Sequence, residues 1–316
     1  MKHHKDTLEG RTLQMLQTAM GGQVASLLID DNVVELMLNQ DGRLWCDRLG
    51  SGREDTGHKI AAADAERIIK LVASGTGAEC NAANPIISAE LPGTGSRFQG
   101  VIPPVVVAPV FTIRKKALMV FTLTDYVSQG IMTDSQFELI CRAVRDRMNI
   151  LVVGGTGTGK TTLVNAVLDE IAKTKDRIVI IEDTLELQCT APDTVFLRAK
   201  EGVATMNDLL KATMRLRPDR IVVGEVRGGE ALSLLKAWNT GHPGGAATVH
   251  ANNARAGLTR LEQLIQEAVV TVPKELIAEA VNVVIHIERT ATSRKIKDIM
   301  KVDGVRSGEY ILSSLA

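Results

Sequence analysis

Apolar and polar positions along the chain fall into two regimes. In the first third they are short and mixed. Thr7 to Met20 has roughly helical spacing and should end at Gly21-Gly22. Val33 to Leu38, then Asn39-Gln40-Asp41-Gly42, then Arg43-Leu44-Trp45 reads as two strands around a glycine-containing hairpin turn. Ala61 to Ala73 reads as a helix, with Ile60, Ile68, Ile69 and Val72 available to one face. Gly93, Gly95, Gly100 and several prolines punctuate later short strands. This part is expected to be a small α+β domain.

After a polar stretch around Asp125, Ser128, Gln129 and Gly130 the pattern changes. A helix over 135–147 feeds a run of apolar strands alternating with helical stretches: Ile150–Val153, Ile178–Ile181, Ile221–Val223, Ala246–Val249 and Val281–Ile287. Continuous apolar runs separated by helices predict an α/β domain whose mainly parallel sheet is covered on both faces. The expected layout is an N-terminal domain over 1–122, a linker over 123–134 and an α/β domain over 135–316.

Composition narrows the function classes. Lys plus Arg and Asp plus Glu each number 37, so no general field attracts nucleic acid or an anionic membrane. Aromatic residues are 3% of the chain, which leaves few platforms for stacking single-stranded nucleic acid. No stable direct DNA binding is expected. Cys46, Cys80, Cys141 and Cys189 are widely spaced, so neither a disulfide framework nor a zinc ribbon is expected, and a reducing cytoplasmic setting fits. Met1–Asp6 is not followed by a signal-peptide core, and Pro103, Pro104 and Pro109 interrupt the apolar stretch 101–111. No membrane span is expected.

The chemistry concentrates after the first apolar strand of the second regime. Gly154-Gly155-Thr156-Gly157-Thr158-Gly159-Lys160-Thr161 fits G-x-x-x-x-G-K-[ST], with a strand before it and a helical run from Thr162 after it. Glycines let such a loop turn its N–H groups inward, toward phosphates that also meet the positive end of the following helix. Lys160 would carry charge to the β- and γ-phosphates, the Thr161 hydroxyl would coordinate Mg²⁺, and Thr162 completes the nucleotide-binding set. The strand 178–181 ends in Glu182-Asp183, and 221–224 ends in Glu225, at strand ends where ligands of open α/β sheets collect. Glu182 is read as orienting the attacking water and Glu225 as holding Mg²⁺, with the reverse assignment left open. Glu186 is either a contributor or a surface charge.

With the glycine-rich loop, Ile181-Glu182-Asp183-Thr184, Arg217–Arg227 and Thr240–His250 in this order, the chain resembles the secretion traffic ATPases. Those segments look like that family's Walker A, Asp box, Walker B and His box, and the likeness spans roughly residues 140 to 290. The chain lacks the paired cysteines of the type II assembly members, so it is most similar to the type IV secretion branch and its conjugal-transfer members.

The resemblance implies a RecA-like ATPase domain behind a smaller N-terminal domain, with ATP and Mg²⁺ as ligands. It implies that His250 approaches the γ-phosphate region with His242 nearby on the loop; the residue pattern alone gives either histidine a structural role. Arg97 and Arg114 resemble the N-terminal-domain arginines that close the site, a solvated basic strand end being the competing reading. Arg227 either bridges subunits or braces the site. A homo-hexamer is implied, peripheral to the cytoplasmic side of the inner membrane, driving membrane components of a conjugation apparatus. A RecA-like DNA translocase and a nucleotide-gated, non-hydrolysing scaffold are the rival readings.

Overall fold

The computed structural model describes residues 8–49, 51–115, 121–200, 202–290 and 293–316, and the side chains from residue 14 onward. The reading of Met1–Asp6 and the helix start at Thr7 therefore lie outside the described residues. The chain divides into two compact units, Met1–Leu118 and Met119–Ala316.

In the first unit α1 (Leu8–Ile29), β1 (Val33–Leu38), β2 (Arg43–Arg48), β3 (Gly52–Lys59), α2 (Ala62–Gly75), β4 (Ile86–Glu90), β5 (Arg97–Val101) and β6 (Val110–Arg114) follow in order. The strands form a six-stranded sheet in the order β3-β2-β1-β6-β5-β4, antiparallel throughout. In α2, Ala65, Ile68, Ile69, Val72 and Ala73 recur at helical spacing and are buried against the sheet's inward positions, including Leu36, Phe98 and Ile113. The expected stop at Gly21 is a break rather than an end. Gly21 has φ 71 and ψ 169, and a second helical segment runs on to Ile29 because Val24, Leu27 and Leu28 extend the apolar face.

The second unit begins earlier than the expected 135. Residues 123–134 are α3 (Leu123–Ser128) and its turn into α4 (Asp134–Arg145), not a linker. Thr122 caps α3 against Asp125 and Thr133 caps α4 against Gln136, and Leu123, Tyr126, Ile131 and Met132 are buried in this unit's core. Burial of those four side chains is what removes the freedom a linker needs.

There follow β7 (Ile150–Gly154), α5 (Lys160–Ala172), β8 (Ile178–Glu182), β9 (Thr194–Arg198), α6 (Met206–Thr213), β10 (Arg220–Val223), α7 (Glu230–Asn239), β11 (Ala246–His250), α8 (Ala254–Gln266), α9 (Lys274–Ala280), β12 (Val283–Arg289), β13 (Arg294–Arg306) and β14 (Glu309–Ser314). The eight-stranded sheet has the order β14-β13-β12-β7-β11-β10-β8-β9. It is mixed: β12 through β9 run parallel, and β13 and β14 add antiparallel strands at one edge. Alternate residues of each central strand enter separate cores. Ile150, Val152, Ile178 and Ile180 face a cluster with α3, α4 and α5, while Leu151, Val153, Val179 and Ile181 face one with α6 to α9. Burial on both faces is why these strands are uninterrupted apolar runs.

Parallel order puts the C-terminal ends of β7, β8, β10 and β11 along one edge of the sheet. The opposite edge is fixed by a buried cation. Arg220, 2% exposed in its side chain, donates from Nε to Asp176 Oδ2 at 2.6 Å and to the carbonyls of Gly244 and Val144 at 3.0 Å each. Arg147 also engages Asp176. Removing one member of such a cluster strands the other's charge in the interior. Asp176→Ala is expected to lower the unfolding free energy by about 3 kcal/mol or more, read from urea unfolding of the full chain.

Candidate functional site

The glycine-rich loop joins β7 to α5. Gly154 is required by contact: a Cβ there would lie 2.5 Å from the Ile287 carbonyl oxygen and 2.6 Å from Thr158 Oγ1. Gly159, the N-cap of α5, has φ 94, a left-handed conformation that side chains resist. Thr158 donates to the Gly155 carbonyl at 3.0 Å and is buried, while Thr156 and Gly157 are exposed at the crown and Thr161 and Thr162 are half-buried on the first turn of α5.

Lys160 is 7% exposed. Its ammonium donates to the carbonyls of Gly154 at 3.1 Å and Gly155 at 3.0 Å, and lies 3.1 Å from His250 Nδ1. His250 closes β11, and its Nε2 is 2.8 Å from Glu225 Oε1. An ammonium on one ring nitrogen and a carboxylate on the other assign the neutral Nε2–H tautomer, with Nδ1 accepting. Burial and then the Lys160 charge hold His250 below the usual histidine range, against the opposing pull of Glu225.

Glu225 lies two residues beyond the end of β10. Burial pushes its carboxyl up, but the hydrogen bond and charge of Arg227, helped by His250 and Lys160, leave it below the usual carboxylate range. Arg227 Nη2 is 2.6 Å from Glu225 Oε2, and Nη1 engages Asp183. Within this chain Arg227 therefore braces the site, tying the end of β10 to the end of β8.

Glu182 lies in a different environment. It is 2% exposed, and Oε1 accepts from the backbone N–H of Glu186 at 3.0 Å and of Leu187 at 2.8 Å. Oε2 is buried with no hydrogen-bond partner. Burial pushes this carboxyl up to about 7 despite the two N–H donors. Two carboxylates on neighbouring strand ends are thus set apart, one held ionised and the other poised near neutrality. Glu186 contributes its backbone N–H here. Asn165 on α5 fastens the same turn, accepting from Gln188 N at 2.9 Å and donating to the Glu186 carbonyl at 3.2 Å.

An open groove of 780 Å³ continues from the loop past His250, lined by Thr156, Asn252, Asn253, Arg255 and Arg260 among others. His242 is not part of this edge. It precedes β11 and meets the Pro218 carbonyl at 2.8 Å, at the far end of the parallel strands; His250 is the last residue of β11, at the opposite end. Arg97 and Arg114 belong to the first unit. They are direct cross-strand partners on β5 and β6, and Arg114 in turn faces Glu35 on β1. The reading of the sequence passed over Asn165, and it left Arg227 open between bridging subunits and bracing the site without naming Asp183 as its partner. The only signal for the brace was the Asp183 carboxylate beside Glu182, since a contact between strand ends 44 positions apart has no local spacing.

A mixed α/β sheet with a glycine-rich loop, a buried lysine and two differently tuned carboxylates at one set of strand ends defines the class of fold and candidate site. The chain belongs to the family of type II/IV secretion system proteins, whose model matches residues 33–309. It is 51% identical over 306 residues to a probable conjugal transfer protein TrbB of Sinorhizobium fredii, covering 96% of this chain and 94% of the relative. Among solved structures it is similar to the VirB11 ATPase of the Brucella suis type IV secretion system in complex with sulphate, with a TM-score of 0.50 and 26% identity, covering 93% of this chain and 96% of that one. The Legionella pneumophila ATPase DotB shares the fold, with a TM-score of 0.62 at 17% identity over 87% of this chain and 78% of that one.

The Glu182 environment carries a pH signature. Its folded pKa of about 7 lies above the unfolded 4.5, so its contribution to stability is fully present below pH 4.5 and is lost as pH rises through 7. Glu182→Gln keeps the shape without the charge. The variant is expected to melt higher than the parent chain at pH 8, with the difference gone at pH 4.5, when both are scanned without ligand.

Proposed function

We propose that this chain is a Mg²⁺-dependent ATPase with a RecA-like core that acts as a homo-hexamer and powers conjugative type IV secretion. The observation that carries the reading is the convergence of Lys160, His250, Glu225 and Glu182 on the strand ends beside the glycine-rich loop. The names of its relatives, conjugal transfer protein and VirB11 ATPase, supply the biological setting.

In this reading Gly154 to Thr162 cradle the phosphates with backbone N–H groups, and Lys160 exchanges its carbonyl and imidazole partners for phosphate oxygens. The Thr161 hydroxyl and the ionised Glu225 are hard oxygen donors and suit Mg²⁺, which keeps most of its waters and takes phosphate oxygens as ligands. That ion would neutralise charge on the β- and γ-phosphates. Glu182, with a free buried oxygen and a pKa near the working pH, takes the proton of the attacking water. His250 senses the terminal phosphate, because replacing its Lys160 contact changes what Glu225 and Arg227 hold. Arg97 and Arg114, side by side in register, are the arginines the first unit offers to developing phosphate charge.

The ring would work at the cytoplasmic face of the inner membrane, transmitting motion to membrane components of the apparatus for pilus assembly, mating-pair formation and transfer of a DNA–protein substrate. No helix among the described residues is long and apolar enough to cross a membrane.

Phosphate release and sedimentation of the full chain with ATP·Mg²⁺ test this. DNA-independent turnover by a hexamer is expected. Lys160→Ala should lose nucleotide binding and turnover together, and Glu182→Gln should bind ATP while turnover falls by about a hundredfold or more. Turnover that requires DNA would point to a translocase, and tight binding without turnover to a scaffold; either result contradicts the proposal.

A further inference from the structure

Arg294 has no role in the site described so far, yet it lies against the glycine-rich loop. It opens β13 directly across from Arg289 of β12. A Cβ added to Gly159 would sit 3.1 Å from Arg294 Cδ and 3.2 Å from its Nε, so the arginine stem passes alongside the N-cap of α5. The Nε is buried and has no hydrogen-bond partner, and among the described residues no ion pair or hydrogen bond engages the guanidinium. Its charge acts on Tyr126, a buried phenol whose pKa burial raises, so that group stays neutral and supplies no counter-charge.

A buried guanidinium N–H without an acceptor costs the desolvation of a charged donor, and such a group in a native fold calls for an explanation. Here the sheet order supplies one. β12 and β11 flank β7 on opposite sides. Glu225 and His250 stand on the β11 flank, where the terminal phosphate would lie; Arg294 stands on the β12 flank. On the site proposed above it would therefore face the portion of a bound nucleotide that ATP and ADP share.

We propose that Arg294 is a nucleotide-binding residue that donates hydrogen bonds to the ribose and α-phosphate portion of the ligand. The inference rests on the nucleotide site proposed above. Because the Nε is closed to solvent in this conformation, it gains an acceptor only when the guanidinium turns toward the loop on binding.

Affinities of the full chain for ADP, a non-hydrolysable ATP analogue and pyrophosphate, measured by calorimetry, test it. Arg294→Ala should weaken ADP and the ATP analogue by the same factor, about tenfold or more, and weaken pyrophosphate, which keeps the diphosphate but has no sugar, by a smaller factor. Its melting temperature without ligand should not fall, because the change removes an unsatisfied donor. Unchanged ADP affinity, a loss confined to the ATP analogue, or a lower unliganded melting temperature would overturn the proposal. If the alanine variant does not fold, Arg294→Lys carries the same comparison, with an intermediate loss expected and full affinity as the contrary result. Lys160→Ala is the control for the site itself: nucleotide binding as tight as in the parent chain would sink the site, whereas loss there with no effect at Arg294 sinks only this inference.

Discussion

The Lys160 ammonium is buried at the head of α5 and satisfied by the Gly154 and Gly155 carbonyls and the His250 imidazole, and much of the second unit is arranged to keep it so. A buried charge with too few partners is costly. The carbonyls that accept from it come from a loop that closes only because Gly154 has no side chain to strike Ile287 and Thr158. The imidazole is delivered by β11, which pairs in parallel register with β7 so that His250 stands opposite Gly154. Phosphate oxygens are stronger acceptors for an ammonium than peptide carbonyls, so under the proposed function the contacts that satisfy Lys160 here would be exchanged for an anion.

From that lysine the electrostatics run outward in one chain: Lys160 to His250, His250 to Glu225, Glu225 to Arg227, and Arg227 to Asp183. The chain crosses from β11 to β10 to β8, so a change at the loop is felt at the end of β8, next to Glu182. Glu182 itself is left out of the chain. Its ionisation is set by burial and two backbone donors rather than by a cation, which is why it titrates near neutrality while Glu225 does not.

Much of this was legible in the sequence because the relevant signals are local. The glycine-rich loop, its flanking strand and helix, and the glutamates after apolar runs are contiguous patterns, and the strands that carry them are apolar on both faces. The strands β13 and β14 went unread because charged residues interrupt them: in β13 only Ile296, Ile299 and Val302 are buried, at intervals of three rather than the two of a strand. The segment 123–134 looked like a linker for a similar reason, since its capping residues Thr122, Asp125, Thr133 and Gln136 are polar while four apolar side chains between them anchor the core. His242 was misplaced because only three loop residues separate it from β11 in sequence, while the length of that strand carries His250 to the opposite end. Arg227 and Arg294 could not be assigned, because their partners or neighbours lie at other strand ends and only the strand order 12-7-11-10-8 brings them to the loop.

The claim that a neutral His250 links Lys160 to Glu225 is tested most directly by its ring titration. The chain contains six histidines, so ¹⁵N-histidine NMR with a His250→Asn variant for assignment isolates the signal. The account predicts the Nε2–H tautomer, a pKa below that of free histidine in the ligand-free chain, and a change in both on adding ADP with Mg²⁺. A His250 ring that titrates like free histidine and ignores the nucleotide would contradict it.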